Sequence, residues 1–303
     1  MAAPEKLKIT SSRDSNLRIA LSVFSPKHNL HPPAVIIMGH GIGAIKAGGL
    51  VPFASAFTAH GYHAITFDYL HFGESDGQPR NFLSVSGELQ DFRDVVAWAR
   101  QQTERFDPER IVVWGSSFGG MHTTALLASD HQLAGGIAQC PCVDGLAASM
   151  MQPLSKSLRL MCMAVWDCIM SFFGMEPLYI KLTGDGLRGS PIALMEGLEV
   201  VEGWKRITPS EVPFPNEITA RSVLDLSTSR PVLGLKNSKK PYLIVLPTWD
   251  NEAPLAAAEA AVREAPLGEA LRVPGGHFDL YAGGISFDVN ISGQLAFLSR
   301  ILS

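Results

Sequence analysis

The sequence predicts an α/β fold: a mostly parallel central sheet flanked by helices, with a helical cap inserted after the sixth strand. Three observations carry that expectation. Strand-like and helix-like runs alternate through the first 140 or so residues, the rhythm of parallel strands joined by crossover helices. Ala34-Val35-Ile36-Ile37-Met38 is a continuous apolar run, as a strand buried on both faces requires. The rhythm breaks from about Cys142 to Lys240 and returns at Tyr242. Residues 1–141 and 241–303 are therefore expected to form the core, and residues 142–240 a mainly helical cap, or lid.

The elements follow in order. Lys6 to Thr10 and Leu17 to Phe24 read as an antiparallel opening pair around the turn-like Ser-Arg-Asp-Ser. Pro32-Pro33 breaks the chain before the buried run, which ends in Gly39-His40-Gly41-Ile42-Gly43. Pro52 to His60 is a helix candidate and His63 to Tyr69 the next strand. Glu88 to Gln102 places Leu89, Phe92, Val96 and Ala99 at helical spacing. Arg110 to Trp114 and Ala134 to Cys140 are strands on either side of a helix over Met121 to Ala128.

Met150 to Tyr179 reads as apolar, methionine-rich cap helices, and Gly184 to Ser229 as irregular chain with short helices. The apolar stretch Leu160 to Met175 is too short to span a bilayer and carries Asp167 in its middle. Tyr242 to Leu246, a helix over Ala253 to Glu264, a strand at Ala270 to Val273 and a helix over Ser286 to Leu302 complete the sheet.

Composition narrows the function. The 303 residues are 46% hydrophobic, and the formal net charge is −4. A nucleic-acid surface is not expected from that balance. MAAPEKLKITSSRDS lacks the apolar centre of a signal peptide. Cys140, Cys142, Cys162 and Cys168 form neither a disulfide framework nor paired zinc spacing. A cytoplasmic protein without metal, nucleotide or flavin is the expectation.

Chemistry concentrates in Trp114-Gly115-Ser116-Ser117-Phe118-Gly119-Gly120, a Gly-x-Ser-x-Gly pattern between strand and helix. A sharp strand-to-helix turn crowds its neighbours, so glycines at 115 and 119 clear the corner and lift the Ser117 hydroxyl above the sheet. An ordinary Gly-Ser turn has the same pattern; the rest of a catalytic set separates the two readings. Serine is a poor nucleophile without a base and an orienting carboxylate.

His277, in Gly275-Gly276-His277-Phe278-Asp279, follows the last strand on a flexible loop that can bring imidazole over the sheet edge. Asp250 follows the strand at Leu243 to Leu246; Glu252 and Asp144 are its alternatives. His122, one turn into the helix after Ser117, reads as packing or surface. An oxyanion intermediate needs pre-aimed amides. The candidates are the N–H groups of Phe118 and Ile42. Gly39-x-Gly41-x-x-Ala44 with Asp68 also fits a dinucleotide fingerprint, but Lys46-Ala47-Gly48-Gly49 makes a poor helix start and that reading leaves Ser117, Asp250 and His277 unexplained.

These pieces resemble the α/β-hydrolase superfamily over nearly the whole chain: GHGIG at 39–43, FDYLHFGESDG at 67–77, WGSSFGG at 114–120, TWDNEAP at 248–254 and GGHFD at 275–279. Glu74 and one extra residue depart from the family's turn pattern in the second piece. GHGIGAIKAGGLVPFA, QPRNF and QCPCVDG more narrowly resemble polyketide transferases and thioesterase-like hydrolases of fungal secondary-metabolite pathways.

The resemblance implies a serine enzyme that cleaves an ester or thioester through an acyl-enzyme, with a polyketide-like acyl group. Acyl transfer to an alcohol or amine is the first alternative, and a non-catalytic binding protein on the same fold the second. Met150, Met163, Trp166 and Phe172 are expected to line an apolar substrate site in the cap, although packing of the cap on the core would use the same residues. Expected partners are a small-molecule or carrier-bound acyl substrate and, through the cap, a second copy of the chain; stable membrane insertion is not expected.

Overall fold

The computed structural model describes residues 3–28 and 33–303. Pro32 of the expected break lies outside them. Strands β1 (Glu5–Thr10) and β2 (Arg18–Phe24) open the chain, followed by β3 (Val35–Gly39), helix α1 (Val51–Ala59) and β4 (His63–Phe67). Helix α2 (Val85–Gln101) begins three residues before the expected start, because the Ser84 hydroxyl caps it by accepting from the Gly87 amide. Strand β5 (Ile111–Ser116), helix α3 (Phe118–Ser129) and β6 (Gly135–Gln139) complete the first half.

Between β6 and the next sheet strand lie helices α4 (Gly145–Met150) and α5 (Leu154–Phe172), strands β7 (Tyr179–Gly184) and β8 (Ala193–Glu196), helix α6 (Leu198–Ile207), strand β9 (Glu217–Thr219) and helix α7 (Val223–Leu226). The three strands form a small sheet in the order β8-β7-β9. The sequence predicts cap helices to Tyr179 and irregular chain with short helices from Gly184 to Ser229; the structure differs by placing β7 at their junction and β8 and β9 in the second stretch. Strands of three to six residues, paired across a helix, leave no periodic trace in composition.

Strand β10 (Tyr242–Pro247), helix α8 (Leu255–Glu264), strand β11 (Gly268–Val273) and helix α9 (Phe287–Ile301) close the chain. The main sheet runs β1-β2-β4-β3-β5-β6-β10-β11. Only the β1–β2 and β2–β4 pairs are antiparallel. All residues of β3, β4, β5, β6 and β10 are buried, as the apolar runs required. The edge strands β1 and β11 are largely exposed and charged, which discourages further strand pairing. The centrally placed β3 and β5 are neighbours, so the loops leaving their carboxyl ends meet above the sheet, where open α/β sheets place ligands. Among the described residues, no helix is long and apolar enough to cross a membrane.

Candidate active site

Ser117 occupies the corner between β5 and α3 with φ 54° and ψ −116°. This is a costly conformation for a side-chain-bearing residue and is retained only where the surroundings enforce it. They do so here by close packing. A Cβ on Gly115 would stand 2.1 Å from the Gly119 carbonyl oxygen, and one on Gly119 would stand 2.4 Å from the Gly39 oxygen. The Ser117 amide donates to the Gln139 carbonyl, and its carbonyl accepts from the Gly120 and Cys142 amides.

His277 stands in a short 3₁₀ turn, His277–Leu280, after β11, and Asp250 follows β10. Nδ1 of His277 lies 2.8 Å from Oδ2 and 3.0 Å from Oδ1 of Asp250. Nδ1 facing a carboxylate keeps its proton, so in the neutral ring Nε2 is the acceptor. Burial disfavours the imidazolium, but the charge and hydrogen bond of Asp250, with Cys140 alongside, outweigh it and hold the ring well above the usual histidine range. Ser117 and His277 border one small cavity with Gly41, Ile42 and Tyr281.

The loop after β3 meets Ser117 from the other side. A Cβ on Gly41 would lie 3.4 Å from the Ser117 Cβ and 3.8 Å from its Oγ. His40, buried beneath, contacts the Gly41 carbonyl through Nδ1 at 2.9 Å, and burial lowers its pKa to about 4, so it is neutral and pins the loop. Among the described residues, the amides of Ile42 and Phe118 have no hydrogen-bond partner. Two unoccupied donors beside a serine suit a developing oxyanion.

A cleft of about 320 Å³ opens from this corner. Ile42, Phe118, Leu146, Leu160, Met161, Leu194, Met195, Val223 and Leu226 give it an apolar wall; Cys142, Ser149, Gln152, Ser157, Ser227 and Glu252 give it polar points. Burial pushes the Cys142 thiol up to about 12, so it is an inert lining group. Burial, with Asp250 adding to it, raises the Glu252 carboxyl to about 7.

The serine aminopeptidase, S33, family model matches residues 30–168. The quorum-quenching protein AidA of Acinetobacter baumannii (strain MDR-ZJ06) is 35% identical over 290 residues, covering 95% of this chain and 93% of its own. The chain belongs to the α/β-hydrolase superfamily. This hydrolase is also similar to the polyketide transferase grgF of a Penicillium species, 27% identical over 72% of this chain and 71% of that one. The crystal structure of GrgF from Penicillium sp. sh18 superimposes with a TM-score of 0.81 at 23% identity, covering 98% of both chains. The structure of DcsB with a substrate analogue gives 0.83 at 22%, covering 99% of this chain and all of the other. As an enzyme, the chain falls with the serine hydrolases and related acyltransferases.

Within the hydrolase, several sequence-named residues have other places. Asp144 caps α4 through the Ala147 amide and is held by the Arg230 guanidinium at 2.8 Å, away from His277. Asp68 binds Lys46 and the Glu74 amide, and Glu74 pairs with Lys46 and Lys6, so the departure from the family turn is a lysine-tied turn. His122 is buried against Glu88 at 2.9 Å.

The expected cap lining needs correction. Met150, Met163, Trp166 and Phe172 do not line the cleft. Met150, Trp166 and Phe172 are exposed, and Met163 packs on the core. Helix α5 presents Ser157, Leu160 and Met161 to the cleft instead. Three of the four lie on α5 and Met150 ends α4; the rotation of α5 depends on contacts far away in the chain.

The strand bearing Ser117 is also braced from behind, which the sequence did not suggest. Trp114 Nε1 donates to Gln294 Oε1 at 2.8 Å, Asn290 Nδ2 to Gln139 Oε1 at 2.9 Å, and Gln139 Nε2 to Ser116 Oγ at 3.0 Å. Ser116 Oγ also bonds Tyr281 OH. This buried chain ties α9 and the His277 turn to β5, fixing serine and histidine to one frame. Among the described residues, no cluster of three or more His, Cys, Asp or Glu side chains is placed to hold a metal ion.

Proposed function

We propose that this hydrolase cleaves an ester or thioester through an acyl-enzyme on Ser117. His277 Nε2 takes the Ser117 hydroxyl proton as the oxygen attacks the acyl carbon. Asp250 keeps Nδ1 protonated and stabilises the imidazolium. The Ile42 and Phe118 amides receive the oxyanion. Collapse of the tetrahedral intermediate breaks the bond to the leaving alcohol or thiol, which departs with the proton from His277. Water then attacks the acyl-enzyme by the same proton path in reverse.

The observation that carries this reading is the 2.8 Å Asp250–His277 contact, with the ring bordering the same cavity as a strained serine. The apolar wall of the cleft favours an apolar acyl group. Transfer to an alcohol or amine uses the same steps, and the relatives named polyketide transferase support it as the alternative. The relative named for quorum quenching supports a second substrate reading, in which the acyl carbonyl belongs to a quorum signal.

The deciding experiment is intact mass after treatment with a fluorophosphonate, on wild type and Ser117→Ala. One adduct mapped to Ser117 and absent from the variant is expected. A folded wild type that takes no adduct would refute an activated serine, and the binding-protein reading would replace it. A panel of short and long acyl thioesters tests the acyl site; equal rates on both count against an apolar pocket.

A further inference from the structure

Helix α5 turns an apolar face outward along its whole length. Of the 21 large hydrophobic side chains that are exposed among the described residues, 12 fall within residues 146–175. Leu154 and Phe172, at the two ends of α5, are 75% and 86% exposed. With ~150–250 Å² for a large aromatic side chain and somewhat less for Leu or Met, these 12 side chains, seven of them on α5, together expose on the order of 1,000 Å² of apolar surface. Ordinary monomer patches reach only ~300–600 Å².

The spacing on α5 is specific. Leu154, Leu158, Met161, Val165, Cys168 and Phe172 are separated by four, three, four, three and four residues, and all six are exposed. That is the alternation of a two-helix seam, in which each side chain enters a gap between residues of a facing helix. The row is also symmetric about Met163. Reversed on itself, it sets Leu154 against Phe172, Leu158 against Cys168, and Met161 against Val165.

We propose that two copies of this chain pair α5 against α5, antiparallel, across a two-fold axis near Met163. A two-fold contact must be self-complementary, and a seam that reads the same in both directions meets that condition. The exposed apolar area of the patch is of the same order as the ~800 Å² per partner of a standard stable interface.

Charge argues against the other occupants. Lys156 is paired with Glu196 and Asp167 with Arg221, which leaves Arg159, off the seam, as the one charge on α5 without an ion pair among the described residues. A helix lying on an anionic lipid surface needs a basic polar face, and a charged carrier needs a complementary patch. Against its own copy, an uncharged seam meets no repulsion. Met161 lies in the seam and also lines the cleft at Ser117, so the second copy would cover part of the cleft rim and restrict water there.

The test reads mass without substrate, so its failure would leave the acyl-enzyme reading standing. Light scattering on the full chain should give about twice 32.7 kDa. Leu158→Glu with Val165→Glu should halve that mass while the circular dichroism stays unchanged. Leu158→Cys, oxidised, should give a disulfide-linked dimer through Cys168, lost with a further Cys168→Ser and kept with Cys162→Ser.

A wild type that stays at the single-chain mass at its highest soluble concentration would overturn the proposal. So would a dimer whose mass survives the double Glu variant, or a Leu158→Cys protein cross-linked elsewhere. A single-chain mass in solution together with flotation on phosphatidylcholine–phosphatidylglycerol vesicles would overturn it in favour of a lipid surface.

Discussion

Asp167 on α5 and Arg221, in the turn Ala220–Ser222, lock together as a fork on a carboxylate. Arg221 Nε reaches Oδ2 at 2.7 Å and Nη2 reaches Oδ1 at 2.9 Å. The amides of Leu178 and Arg221 donate to the same carboxylate. Burial alone would raise the Asp167 carboxyl; Arg221 and the two amides outweigh it and hold the carboxyl below its usual range. The pair therefore sets which side of α5 faces inward.

Asp167→Asn should loosen this segment without unfolding the core. Leaving Arg221 without its partner should cost about 3–5 kcal/mol, read as faster amide exchange over α5 and β7. Because the folded carboxyl is depressed, its contribution is present above about pH 4 and lost as pH falls through the folded value. Exchange in wild type should therefore approach that of the variant in acid. Asp167→Leu with Arg221→Met should restore much of the protection.

Asp250→Asn should lower turnover by roughly 10³–10⁴-fold with little change in KM, since the amide no longer fixes the ring tautomer or supports the imidazolium. His277 acts as base only when neutral, and Asp250 holds its pKa up. Activity of wild type should thus rise with pH along a limb above the ordinary histidine range. In the variant, the residual activity should rise at lower pH. An unmoved limb in a kcat/KM profile would contradict the assignment.

Gly119→Ala should destabilise the fold and injure the site together. The new Cβ would stand 2.4 Å from the Gly39 oxygen and 2.6 Å from the His40 oxygen, backbone atoms that cannot swing aside. Overpacking of this kind costs about 1–3 kcal/mol or more. A fall in the urea midpoint, accompanied by loss of activity in the remaining folded fraction, is the expected outcome, because the displaced loop carries Ile42.

Glu252→Gln tests the buried carboxyl beside the cleft. Its pKa, raised from 4.5 to about 7, means that wild type loses stability relative to the variant as pH rises from about 4.5 through 7. Urea midpoints measured across that window should diverge in favour of the variant. Removing the charge should also move the activity limb to lower pH by a few tenths of a unit, since Glu252 and His277 interact.

Much of the architecture was legible because its signals are local. Val35 to Met38 announces a strand buried on both faces from four consecutive side chains. The Gly115–Gly119 spacing describes a corner whose sterics involve only residues close in sequence and one neighbouring loop. Asp250 and His277 could be named from their places after β10 and β11, because parallel strands deliver their carboxyl ends to one edge. The cleft was not legible in the same way. Leu194, Val223 and Leu226 come from short elements whose pairing is long-range, and nothing local marks them as lining residues.

The sequence by itself therefore determined the order of strands and helices in the main sheet, the glycine-cleared corner at Ser117, the imidazole after β11 and three candidate carboxylates, of which the fold brings Asp250 to His277. Only the tertiary structure decided which face of α5 looks into the cleft and which looks out. An apolar helix with Met, Leu, Trp and Phe on several sides has no phase of its own. Its rotation is set by the Asp167–Arg221 pair, 54 residues apart, and by Leu160 buried against the core. Such contacts exist only once the chain has folded back on itself, which is why Met161 borders the cleft at Ser117 and Phe172 does not.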